Sequence, residues 1–142
     1  MLIIESKSKR NGHMTGMRGV YLVAAELSRL GFIASPTSRS AVGADILATN
    51  QACTKAFSVQ VKTNASSFGF WLLSAKAKTM VAKTHIYVLV NIRRSKDVER
   101  IEYFVVPSKV VSNKMILSAT WCQLNTVHAA RYRDKWSCFG TP

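Results

Sequence analysis

Acid is what this chain has least of. Seven Asp and Glu stand against twenty Lys and Arg in 142 residues, a formal net charge of +13 with a pI near 10.2. Between Lys7 and Lys96 the only carboxylates are Glu26 and Asp45, so any metal site in that stretch must use one or both. Cysteine is scarce as well: Cys53, Cys122 and Cys138 form an odd set with no CxxC spacing, which excludes a disulfide framework and a zinc finger. No apolar run reaches the roughly 18 to 20 residues that cross a bilayer. The opening MLIIESKSKRNGHM lacks the order of charge and apolar core of a signal peptide. The expectation is a cytoplasmic protein with no membrane partner. Repeats, low-complexity tracts and linkers are missing too, so one domain is expected over 14–142. A polar, basic arm over 1–13, carrying Lys7, Lys9 and Arg10, is read as flexible.

What is present is an ample core and a surplus of positive charge. Apolar residues make up 48% of the chain and the mean hydropathy is +0.07, enough for a single core. The charge balance suits a polyanion, and nucleic acid is the usual one. From Thr15 to Leu30, Val20, Val23, Ala24, Leu27 and Leu30 recur at three- and four-residue steps, with Thr15 as N-cap and Gly31 just past the end. That spacing predicts an amphipathic helix. Short apolar runs predict strands at 31–35, 45–49, 56–63, 85–92 and 101–106. The run THIYVLVNI at 84–92 is nearly continuous, as in a strand covered on both faces, and is expected in the middle of the sheet. It pairs as a hairpin with IEYFVVP across the charged turn RRSKDVER. A brief basic helix is expected at 76–83 and a helical turn from Ser108 to Lys114. The segment 119–136 packs back on the sheet with Trp136 as its anchor. His85 has no Cys, Asp or second His beside it and is read as structural. The fold class is α/β: a central mixed sheet of about five strands flanked by helices.

The clustered chemistry lies between Gly43 and Asn64. Side chains alternate along a strand, so Gln60 and Lys62 share one face while Phe57, Val59 and Val61 take the other. Asp45 opens the neighbouring strand level with the polar pair. An acid, an amide and a lysine at the ends of two buried strands are costly to desolvate unless they serve one another or a ligand. Gly-Ala-Asp, a spacer of fourteen residues and Gln-x-Lys resemble the motif of the PD-(D/E)XK nuclease superfamily in its Mrr-like branch, where Gln stands for the second acid. The resemblance runs from Gly16 to Trp136 and includes the Val-Pro-Ser-Lys-Val-Val run at 106–111 and the closing RYRDKW at 131–136.

The resemblance implies a restriction-endonuclease-like three-layer core and a metal-dependent endonuclease hydrolysing DNA phosphodiester bonds with Mg2+ or Mn2+. On it, Asp45 binds the metal, the Gln60 side-chain oxygen and the Val61 carbonyl assist, and Lys62 orients the attacking water. Where the family often reads Gly-Glu, this chain has Gly19-Val20. Glu26, on the edge of the helix's buried stripe, is the candidate replacement ligand, with a plain surface Glu as the other reading. Contacts to nucleic acid are expected from Ser38, Arg39 and Ser40 in the loop before Asp45, from Thr63 and Asn64 after Lys62, and from Lys76 and Lys78. The expected partner is duplex DNA, with a homodimer left open. Phe68, Phe70 and Trp71 are read as core, with a base-stacking surface as the other reading. The alternative function is an inactive nuclease fold that serves as a nucleic-acid-binding or protein-interaction module, although a pure binder has no need to keep Asp45 together with Lys62. A basic RNA-associated protein would expose stacking residues on an open sheet face, and the strands here read as covered.

Overall fold

The structure is a computed structural model that describes residues 2–38 and 42–142, with side chains from residue 12 onward. Helix α1 runs Leu2–Arg29. It begins well before Thr15 and takes in most of the segment expected to be a flexible arm. Residues 2–14 contain no proline to stop a helix, and Gly12 alone costs only about 1 kcal/mol. The other end is sharp. Gly31 adopts φ 99°, a left-handed conformation that a Cβ would strain. Its N–H donates to the Ser28 carbonyl at 3.0 Å, and the Phe32 N–H to the Leu27 carbonyl at 2.9 Å, the two bonds of a Schellman cap. Phe32 and Leu27 are both buried in the core that the cap turns toward.

Strands β1 (Ile33–Pro36), β2 (Ile46–Thr49), β3 (Ala56–Asn64), β4 (Phe70–Leu72), β5 (His85–Ser95) and β6 (Val98–Pro107) follow. Five of them form one sheet in the order β1-β2-β3-β5-β6. β3 and β5 are parallel and the other pairs antiparallel, so the sheet is mixed, as expected. Its middle strand is β3; the strand expected there, β5, lies one place over. A continuous apolar run reports cover on both faces, which any interior strand has, and β6 makes β5 interior by closing its free edge.

Each face of the sheet carries a core. Val23 and Leu27 of α1 pack on Val59, Val61, Val88 and Val105. On the opposite face Trp71, Leu89, Phe104, Val106 and Leu124 are buried together. The layer over that second face holds α2 (Ser108–Lys114), α3 (Thr126–Ala129) and a small antiparallel sheet of β4, β7 (Ile116–Leu117) and β8 (Cys122–Asn125) in the order β4-β8-β7. Strands of two to four residues are too short to show a period of two in sequence. The basic helix expected at 76–83 is one 3-10 turn, Ala75–Lys78. Trp136 packs on Tyr103 with ring centroids 5.5 Å apart. His85 is buried, its Nδ1 2.6 Å from the Ser58 hydroxyl, and burial pushes its pKa below the ordinary histidine value.

Candidate active site

Asp45 sits one residue before β2, at the point where that strand stops covering β3. Its N–H donates to the Val59 carbonyl at 2.8 Å, and its own carbonyl accepts from the Thr37 N–H at 2.9 Å. The Thr37 hydroxyl donates to the Ala44 carbonyl at 2.6 Å. The backbone at Asp45 is thus clamped between β3 and the residue that follows β1. Beyond β2, the edge of β3 has no strand partner, and the Asp45 side chain takes that place. Its Oδ2 accepts from the Val61 N–H at 2.8 Å and from the Gln60 side-chain amide at 2.7 Å. The N–H and C=O of one strand residue leave on the same side, so the Val61 carbonyl points out over the same gap. Because the Gln60 nitrogen faces Asp45, its oxygen is the end left for a ligand.

A cleft of about 490 Å3 opens here, lined by Gly16, Val20, Ser38, Asp45, Gln60 and Lys62 among others. Among the described residues Glu26, Glu99 and Glu102 each pair with arginine. Among the described residues Asp45, like Asp97 and Asp134, forms no ion pair, and neither does Lys62 on the same face. A carboxylate and an ammonium left free in one cleft are chemically available in a way the saturated pairs are not. One carboxylate, one amide oxygen and one carbonyl are all hard oxygen donors, so the set fits Mg2+ or Mn2+. A single negative charge holds such an ion weakly and leaves coordination for phosphate oxygens to complete. Among the described residues there is no cluster of three or more His, Cys, Asp or Glu.

Glu26 is not brought to the cleft. It lies on α1 about 9 Å along the axis from Val20, at 1.5 Å per residue, and its Oε2 accepts from Arg29 Nε and Nη2 at 3.0 and 2.8 Å. The α1 residues that line the cleft are Gly16, Met17, Val20 and Tyr21. Placing Glu26 on the edge of the buried stripe located it correctly around the helix, but distance along the axis decides what it reaches. The expected contacts beyond Lys62 also divide. Asn64 is buried and its amide holds the next loop, donating to the Phe68 carbonyl at 2.7 Å. Thr63 Oγ1 is buried without a hydrogen-bond partner. Lys78 donates to the Ser112 carbonyl at 2.8 Å, tying the 3-10 turn to α2, whereas Lys76 lines a small cavity of about 200 Å3 with Gln60, Lys62 and Tyr87. Arg39 and Ser40 lie outside the described residues.

Tyr87 is a site neighbour that the sequence pattern hides, since it sits inside an apolar run. The parallel register places it opposite Gln60. Burial first, and then the Asp45 charge, push its pKa up, which keeps its hydroxyl a proton-bearing donor. Gly19 explains how α1 comes so close. A Cβ there would stand 1.8 Å from Thr63 Oγ1 and 3.0 Å from Thr63 Cβ. Gly19→Ala is expected to destabilise the fold, because overpacking of about 1–3 kcal/mol exceeds the roughly 1 kcal/mol that alanine gains in a helix. In a Thr63→Ala background the same change should become neutral or stabilising. Thermal melts of the four proteins read this, and an unchanged melting temperature for Gly19→Ala alone would refute the close contact.

No family model matches the chain, and no curated protein matches it. Among solved structures, Hjc, a Holliday junction resolvase from the archaeal hyperthermophile Archaeoglobus fulgidus, superposes with a TM-score of 0.56. The match covers 82% of this chain and 88% of that one, at 15% sequence identity. The likeness is one of fold.

Proposed function

We propose that this chain, whose backbone has the restriction-endonuclease-like fold of the PD-(D/E)XK nucleases, is a divalent-metal-dependent endonuclease that hydrolyses DNA phosphodiester bonds. The observation that carries the reading is the convergence of Asp45, Gln60, the Val61 carbonyl and Lys62 on one cleft, with the carboxylate and the ammonium both unpaired. A divalent cation held by Asp45, the Gln60 oxygen and the Val61 carbonyl would lower the pKa of a water molecule and offset charge on a phosphate oxygen. The chain's own groups do the rest. Asp45, fixed through Val59, Thr37 and Val61, presents its second carboxylate oxygen in a set position. Lys62 places a positive charge beside the phosphate, where negative charge grows as water attacks phosphorus and the ester oxygen departs. Ser38, on the cleft wall, can donate a hydrogen bond to a phosphate oxygen.

The net charge of +13 supports a DNA partner bound through phosphates with release of counterions. The wild-type protein is expected to bind duplex DNA with an affinity that falls steeply between low and physiological salt, and to cut it when Mg2+ or Mn2+ is added. Gel assays of binding across a salt series and of cutting across a metal series test both halves. Binding that ignores salt would remove the phosphate-contact reading.

Val20 favours a second reading, a nuclease fold that binds nucleic acid without cutting. Its apolar side chain lines the cleft where the related nucleases often place an acid, and it can supply no ligand. Val20→Glu adds a second carboxylate to the cleft wall and should tighten Mn2+ binding by about tenfold or more, since affinity follows the count of charged ligands. Calorimetric titration with Mn2+ reads this without any need for activity. If wild type binds DNA but cuts nothing while Val20→Glu cuts, the binding module is the correct function and Val20 is its cause.

A further inference from the structure

Past Lys62 the cleft continues into a second cavity of about 660 Å3, floored by Lys62 to Asn64 and walled by Phe68, Phe70 and Trp121. On β4, strand alternation separates Phe70 from Trp71, and Phe68 lies in the loop before it. Trp71 is buried in the core, whereas Phe68 is 59% and Trp121 48% exposed. Phe68 and Phe70 stack with centroids 5.4 Å apart and planes 16° from parallel, and Trp121 meets Phe70 edge-on at 6.0 Å. Exposed rings of this size are usually mobile, but these are braced. Asn64 donates to the Phe68 and Phe70 carbonyls and accepts from the Ser66 N–H and hydroxyl. Arg93 donates to the Ser66 and Phe68 carbonyls. The Trp121 indole N–H donates to the Gln123 side chain, and its backbone N–H to the Ser118 hydroxyl. Rings fixed before binding lose little entropy when something stacks on them.

The chemistry of the cavity selects its occupant. Among the described residues no carboxylate lines it, Lys62 stands at its inner end, and its volume lies within the range of about 300–1,000 Å3 typical of ligand sites. A flat aromatic face reads a π-face, and a base offers one only when it leaves the duplex stack. We propose that this shelf receives an unpaired nucleobase of the strand whose phosphate lies at Lys62, so that the preferred DNA carries single-stranded nucleotides beside the bond to be cut. The proposal rests on the nuclease reading for its phosphate but not on turnover for its base.

The test is binding by the full chain in EDTA, which separates recognition from cutting. The probes are a fully paired duplex and a duplex of equal length with a short unpaired stretch, each carrying 2-aminopurine at the same position. The unpaired DNA should bind about tenfold or more tightly, and its 2-aminopurine emission should be quenched by stacking. Phe68→Ala and Trp121→Ala should each erase most of that preference while leaving the protein folded and duplex affinity unchanged, and Trp121→Phe, which keeps a ring, should retain it. Equal binding of the two DNAs by wild type, or equal weakening of both by the truncations, overturns the shelf. So does sedimentation showing that the truncations turn a dimer into a monomer while the 2-aminopurine signal stays unmoved, since the rings would then join two copies of this chain. Failure to bind either DNA brings down the nucleic-acid reading together with the shelf. Selective binding without any cutting on metal addition leaves the shelf standing and removes only hydrolysis.

Discussion

Asp45→Ala is expected to reduce DNA cutting by about a thousandfold or more, to the limit of detection. The cleft would lose the only carboxylate that lines it among the described residues, and the charge stabilisation that a bound divalent cation contributes is several kcal/mol, with each 1.36 kcal/mol worth a factor of ten in rate. Alanine also leaves the Val61 N–H and the Gln60 amide without their acceptor, at about 1–3 kcal/mol for each group kept from water. A loss of activity could then be confused with a loss of fold. Asp45→Asn separates the two, because its amide oxygen still accepts from Val61 while the negative charge is gone. Cutting assays paired with thermal melts should find Asp45→Asn folded and inactive. Glu26→Ala is the control: already paired with Arg29 and about 9 Å along α1 from Val20, it should cut at the wild-type rate. Wild-type cutting by Asp45→Asn would end the proposed mechanism.

Lys62→Ala is the companion case and should fail in a different way. Removing one positive group that faces developing charge costs on the order of a hundred- to a thousandfold in rate. Duplex affinity should change only a few-fold, because Lys62 is one of twenty cations and binding is shared among many phosphate contacts. Single-turnover cutting and equilibrium binding, measured on the same DNA, separate the two contributions. If affinity and rate fall together by the same factor, Lys62 is an anchor for ground-state phosphate and takes no special part in the transition state.

These two residues share a cleft through local geometry that is written in the chain. Alternation along β3 places Gln60 and Lys62 on one face and Val59 and Val61 on the other, and a short hairpin lays Asp45 alongside. All of this follows from a period of two and a turn, without knowledge of any distant segment. The five strands and the helix cap at Gly31 were legible on the same terms, because apolar periodicity and glycine at a helix end are properties of neighbouring residues.

Packing between distant segments decided the rest. Glu26 and Val20 lie on one helix, and only the docking of α1 on β3, made close by Gly19 against Thr63, puts Val20 in the cleft and leaves Glu26 with Arg29. Asn64 and Lys78 looked available for phosphate until tertiary hydrogen bonds engaged them with the Phe68 and Ser112 carbonyls. Phe70 and Trp71 read alike as apolar aromatics, and on β4, paired with β8, Trp71 is buried while Phe70 lines the cavity. The amino-acid sequence by itself determined which side chains share a face, since that depends on backbone repeat alone. Which faces stay open to solvent was a decision of the tertiary structure, because exposure is set by what the far parts of the chain cover.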